Sequence, residues 1–134
     1  MANRWFNQFK GSLEKGIVQI DGYVQLTAAD ATVVAETVMG ASVARTAAGV
    51  YTITLEDSYP KLLAVAVSKV ATGTDVAQFC KVKAVQTSAG VDCGASLVNV
   101  NKILVATCNS SGVPTDSVVD CGFTVHLVLK NSTV

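Results

Sequence analysis

The stretch Gly49-Val50-Tyr51-Thr52-Ile53-Thr54-Leu55 decides how this chain is read. Tyr51, Ile53 and Leu55 fall on one parity, and Thr52 and Thr54 fall on the other. That two-residue period is the mark of a strand with one buried face. Just upstream, Val43–Arg45 is separated from it by Thr46-Ala47-Ala48-Gly49. Glycine adopts positive φ at no steric cost, so the pair reads as two strands joined by a short turn.

Working outward, the same alternation recurs. In the segment 17–26, Ile17, Gln19, Asp21, Tyr23 and Gln25 share one face, while Val18, Ile20, Gly22, Val24 and Leu26 share the other. Asp21-Gly22 is a bulge or turn candidate. Glu56-Asp57-Ser58-Tyr59-Pro60 interrupts the pattern and Leu62–Val70 resumes it. Val76–Thr87, Ser96–Cys108 and Gly122–Lys130 read as further strands, with loops over Ser88–Gly94 and Asn109–Asp120. Residues 27–39 have no clean period and are assigned to loop or irregular edge structure. About seven strands with turn signals between them predict an all-β fold: a single antiparallel β-sandwich or jelly-roll-like barrel over residues 13–134. An extended N-terminal arm, residues 1–12, precedes it.

Composition agrees. The 134 residues suffice for one domain with a real core. There are 23 valines and 13 threonines, β-branched residues that suit pleated strands. Charged residues make up 15%, against about 25% in ordinary soluble domains. Ten basic residues balance ten acidic ones, which argues against a nucleic-acid partner. A neutral, sparsely charged surface favours association. No apolar run approaches the ~18–20 residues that cross a bilayer as a helix, so no membrane partner is expected. The opening residues lack the apolar core of ~7–15 residues of a secretory signal. The chain is therefore expected to be made in, and to stay in, its compartment of synthesis.

Little in the sequence looks catalytic. The sole histidine, His126, shares parity with Thr124, Val128 and Lys130, on the less buried face of its strand. Glu56 and Asp57 sit beside a turn, where solvation is their expected role. Phosphate-binding glycine motifs are missing. The tetrapeptide Val-Asp-Cys-Gly occurs at 91–94 and again at 119–122. The cysteines, Cys80, Cys93, Cys108 and Cys121, are spaced 13, 15 and 13 apart. Zinc sites draw pairs of thiolates from tighter turns, and no C-x-x-C motif is present. No metal, no cofactor and no enzymatic activity are therefore expected. If Ser96–Cys108 and Gly122–Lys130 form a hairpin, Cys108 and Cys121 flank its loop within reach of a disulfide. Cys80 and Cys93 have the same separation but fit less well. Reduced thiols, internal bridges and bridges between subunits all remain open.

Three of the eight aromatic residues, Trp5, Phe6 and Phe9, lie in the arm. Mobile tails are normally aromatic-poor, so the arm is expected to pack on its own sheet or on a neighbour.

Three blocks carry a resemblance. MANRWFNQFKGSLEKG (1–16) resembles the aromatic, Asn-rich opening of small structural proteins of tailed bacteriophages. GASVARTAAGVYTITLEDSYPKLL (40–63) resembles their next block of strand, glycine turn, strand and Tyr-plus-Leu corner. CGFTVHLVLKNSTV (121–134) is similar to their closing strand. The resemblance implies a virion protein, made in the host cytoplasm and located on the capsid exterior. Its implied role is a head decoration, or cement, protein that clamps neighbouring major capsid subunits as a homotrimer. Arg4, Trp5, Phe6 and Phe9 would then be interface residues, of types enriched at binding hot spots. The Gly-Val-Tyr-Thr-Ile-Thr-Leu pattern also recurs in trimeric fibre domains. The alternative is accordingly a receptor- or glycan-binding module of a tail or head fibre.

Overall fold

The structure, a computed structural model, describes residues 16–27, 33–36, 38, 40–70 and 73–131, with 33–36 described by backbone alone. The expected arm, with Arg4, Trp5, Phe6 and Phe9, lies outside the described residues.

The described chain is all-β and antiparallel. Its strands are β1 (Ile17–Leu26), β2 (Val33–Glu36), β3 (Ala41–Ala47), β4 (Val50–Val70), β5 (Phe79–Gln86), β6 (Val98–Cys108) and β7 (Cys121–Lys130). They form one hydrogen-bonded sheet in the order β2-β1-β7-β4-β6-β5, with β3 also on β4. The first long strand pairs with the last: β1 and β7 run in unbroken register from Ile17 opposite Lys130 to Leu26 opposite Cys121.

The strand β4 organises the rest. Its first part, 50–55, lies between β3 and β6. From Lys61 onward its partner is β7. The pattern break at 56–60 is thus the place where one continuous strand exchanges neighbours. Ladder pairing with β6 skips from Thr54 to Tyr59, and Pro60, which has no N–H to give, sits where a donor is least needed. The carbonyls freed at this corner are not wasted. The buried Asn101 side chain donates to Leu55 O at 3.1 Å and to Asp57 O at 3.3 Å.

The corner folds β4 back on itself. A straight strand would hold Tyr51 and Lys69 about 60 Å apart at ~3.3 Å per residue. Yet Phe123, the ladder partner of Lys69, has its ring centroid 5.6 Å from that of Tyr51. The sheet is therefore doubled into two layers, β3-β4-β6-β5 and β2-β1-β7-β4, which share β4. Among the described residues the hydrogen-bonded path ends at β2 and β5, so no closed barrel ring is formed.

The core fills the space between the layers. Tyr51, Ile53 and Leu55, on one parity of β4, are buried, with Ile20, Val24 and Leu26 from β1. Ile103 and Val105 come from β6, and Phe123, Val125, Leu127 and Leu129 come from β7. Cross-strand pairs such as Ile53 with Ile103 and Ile20 with Leu127 are the contacts that fix register.

One expectation is corrected locally. No bulge occurs at Asp21-Gly22, because the β1–β7 register passes through it unshifted. Gly22 is instead a point of close approach: a Cβ there would lie 2.6 Å from the Val38 backbone. Within 27–39 the structure places the short edge strand β2, paired to β1 with a register shift between Gln25 and Leu26.

Candidate functional site

Because β4 doubles back, both its ends reach the same pole of the fold. Val50 stands opposite Ala106 and Val70 stands opposite Gly122. The same pole receives the end of β6, the start of β5 and the long connection 109–120. That connection is held on the β3–β4 turn. Arg45 forms an ion pair with Asp116 at 2.7 Å, and Gly49 N donates to the same carboxylate at 2.7 Å. Thr107 Oγ1 donates to Thr115 O at 2.9 Å. Gly49 has φ +67, and a Cβ there would collide with Thr115 N and Pro114. The turn expected from sequence is therefore also a seat for this connection.

Beneath the connection lies a buried polar cluster. Lys69 Nζ donates to Asp75 Oδ2 at 2.5 Å, to Ser117 Oγ at 3.0 Å and to Cys121 Sγ at 3.1 Å. The Lys69 and Asp75 side chains are 2% and 0% exposed. Asp75 Oδ1 accepts from Ala77 N at 3.0 Å, and Cys121 Sγ donates to Ser117 Oγ at 3.1 Å. Burial alone would push the Asp75 carboxyl up. The Lys69 and Ala77 hydrogen bonds, the lysine charge and Ser117 outweigh it and hold the group below its ordinary value. Nearby, burial and then the Asp116 charge push the Tyr51 hydroxyl up to about 12.

The outside of this pole carries several exposed apolar side chains. Three cluster residues each have an exposed valine as chain neighbour: Val70 after Lys69, Val76 after Asp75 and Val118 after Ser117, at 49%, 44% and 54%. Phe79 and Val113 are exposed in the adjoining strand and connection. The polar side chains of the cluster thus point in, while apolar side chains beside them point out among exposed polar residues such as Thr74 and Asp120.

The sequence-predicted residues divide as follows. His126 lies on the outer face, as its parity implied, and its Nδ1 contacts Asp21 Oδ1 across the β1–β7 ladder. Glu56 and Asp57 are exposed at the β4 corner. All four cysteines are free thiols. The hairpin premise for Cys108 and Cys121 is corrected: β6 and β7 do not pair, so 109–120 crosses between layers instead of closing a hairpin. Each thiol has its own partner, Cys108 donating to Ala106 O at 3.7 Å. An internal Cys80–Cys93 bridge does not fit this fold either. Cys93 N donates to Val85 O, five residues along β5 from Cys80, about 17 Å away. A disulfide tolerates ~4.4–6.8 Å.

The two Val-Asp-Cys-Gly copies have different fates. Gly94 has φ +68 and open space around it, and it opens the short 3-10 turn Gly94–Ser96. Gly122 lies inside β7, where a Cβ would collide with the Tyr23 ring. Among the described residues no group of three or more His, Cys, Asp or Glu side chains is arranged for a metal. The Lys69 cluster was missed by sequence reasoning, although one signal existed. Lys69 falls on the inward parity of Val65 and Val67, where a lysine is out of place.

Compared with known proteins, the chain matches no family model, no curated protein and no solved structure.

Proposed function

We propose that this protein is a bacteriophage head decoration protein, acting by binding and not by catalysis. In this reading it sits on the capsid exterior as a homotrimer and clamps neighbouring major capsid subunits. Neither nucleic acid nor membrane is a partner. The reading rests on the resemblance of the three sequence blocks. The structural observation that supports it is the apolar pole, where Val70, Val76, Phe79, Val113 and Val118 are exposed over a sealed polar cluster. Such apolar surface on a neutral protein suits burial against a partner. A rigid support beneath it lowers the ordering cost of binding. Trimeric presentation would multiply modest contacts into stable attachment.

The test is quantitative protein mass spectrometry of purified particles. A cement role predicts copies in fixed, high proportion to the major capsid protein and retention on tail-less heads. Low copy number confined to tail fractions would sink the cement reading in favour of a receptor-binding fibre module. Deleting residues 2–10 is expected to abolish attachment while leaving the β-domain folded. Unchanged attachment would remove the arm from the mechanism.

A further inference from the structure

The Lys69–Cys121 contact lies within the buried cluster, and the proposed function makes no use of its chemistry. We propose that it is an oxidation-driven staple: hydrogen peroxide joins Cys121 Sγ to Lys69 Nζ in a sulfenamide bond that thiols reverse. This inference is independent of the virion reading.

The geometry supplies each component. Nζ already lies 3.1 Å from Sγ, so no rearrangement is needed to bring the two atoms together. A carboxylate oxygen, Asp75 Oδ2, lies 2.5 Å from the same Nζ and is positioned to take its proton. Ser117 Oγ touches both partners, at 3.0 Å from Nζ and 3.1 Å from Sγ. A thiol oxidised to sulfenic acid condenses with a neighbouring nucleophile, and nitrogen is one such nucleophile.

The steps balance. Cys121 gives up its thiol proton and its sulfur attacks one oxygen of the peroxide; the O–O bond breaks and the departing hydroxide takes up that proton, leaving a sulfenic acid and one water. Asp75 takes a proton from the Lys69 ammonium and frees the lone pair on Nζ. That pair attacks Sγ, the S–O bond breaks, and hydroxide leaves with the proton from Asp75 as a second water. The remaining excess proton on nitrogen passes to solvent. One thiol, one ammonium and one peroxide thus give an S–N bond, two waters and a proton. Sulfur is oxidised by two electrons and the peroxide is reduced by two.

The other thiols are poorly placed to compete. Burial pushes Cys80 up to about 11. Burial and the Asp92 charge push Cys93 up as well. A protonated thiol is a weak nucleophile. Cys108 is fully buried, whereas Cys121 keeps 8% exposure.

The test treats the full chain with hydrogen peroxide at neutral pH, then measures intact mass and maps tryptic peptides without reductant. The expected product is lighter by two hydrogens and returns to the starting mass with dithiothreitol. Trypsin should no longer cut after Lys69, and residues 62–81 should be found joined to 103–130, with fragment ions placing the link at Lys69 and Cys121. Lys69→Arg and Cys121→Ser should each lose the two-hydrogen shift, and Cys93→Ser should keep it. A link through Cys80 or Cys108 would overturn the proposal. So would sulfinic acid without a link, an added oxygen in the bridge, or loss of water as a Lys69–Asp75 amide. Peptide mapping of the unaltered chain decides the matter even if a variant fails to fold.

Discussion

Replacing Asp75 by Asn isolates what the buried ion pair does for the fold. Asparagine keeps the size of the side chain and an oxygen to accept from Ala77 N, so packing and the local turn survive. What is lost is the negative charge 2.5 Å from an ammonium whose side chain is 2% exposed. Removing one partner of a buried pair typically costs about 3–5 kcal/mol, because the other charge stays desolvated. The cost has a ceiling, since neutralising an ordinary lysine at pH 7 takes about 4–5 kcal/mol. Ser117 and Cys121 still accept from Nζ, which places the expected loss toward the lower end, about 3 kcal/mol. For a chain of this size that corresponds to a fall in Tm on the order of 10 °C. Urea denaturation followed by circular dichroism reads it directly. The double variant Lys69→Met, Asp75→Asn removes both charges and keeps the acceptor for Ala77 N. It should recover most of the loss, because no unpaired charge then stays buried. If Asp75→Asn costs less than about 1 kcal/mol, the cluster is behaving as a hydrated surface pair and the argument fails. It fails equally if the double variant is no better than the single one.

Four further outcomes are expected. Asp75 and Asp116 are held below the ordinary carboxylate value, Asp116 chiefly by its hydrogen bond from Arg45. Their contribution is present above about pH 4 and is lost as pH falls through the lower folded values. Asp116→Asn should therefore flatten the acid limb of a stability–pH curve, and an unchanged limb would refute it. Gly49→Ala should destabilise by at least about 2 kcal/mol in urea titration, since positive φ and collision with the 109–120 connection act together. Leu127→Ala, in the core, should cost about 2–5 kcal/mol. Val118→Asp, at the exposed pole, should change stability by no more than about 0.5 kcal/mol and, under the proposed decoration role, abolish attachment to particles in a sedimentation assay.

The strands were legible because hydrophobic alternation is a local signal. Tyr51, Ile53 and Leu55 announce their buried face, and Gly49 announces its turn. What stayed hidden depends on which strands become neighbours. Glu56–Pro60 reads as an ending in one dimension, but in three it is a corner within a single strand, completed by Asn101 from β6. The spacing of Cys108 and Cys121 suggested a hairpin because sequence shows separation and not layer. The polar cluster was beyond reach for the same reason. Lys69 and Asp75 belong to one stretch, Ser117 and Cys121 to another nearly fifty residues on, and only the pairing of β4 with β7 brings them together. Lys69 alone left a trace, as a charge on an inward parity.

The doubled strand also bears on how the molecule would respond to force. In a sandwich of two separate sheets, a pull across the layers is resisted by side-chain contacts alone, and the layers can slide. Here both layers contain the same backbone, so tension applied to one is carried into the other through covalent bonds at residues 56–60. Sliding would require the corner to straighten, which would strip Asn101 from the Leu55 and Asp57 carbonyls and separate Tyr51 from Phe123. The exposed Glu56-Asp57-Ser58 segment is consequently the fuse of the fold. A single proteolytic cut there would remove the continuity within β4 and leave the layers joined by side-chain packing, the flanking ladders and chain crossings such as 109–120.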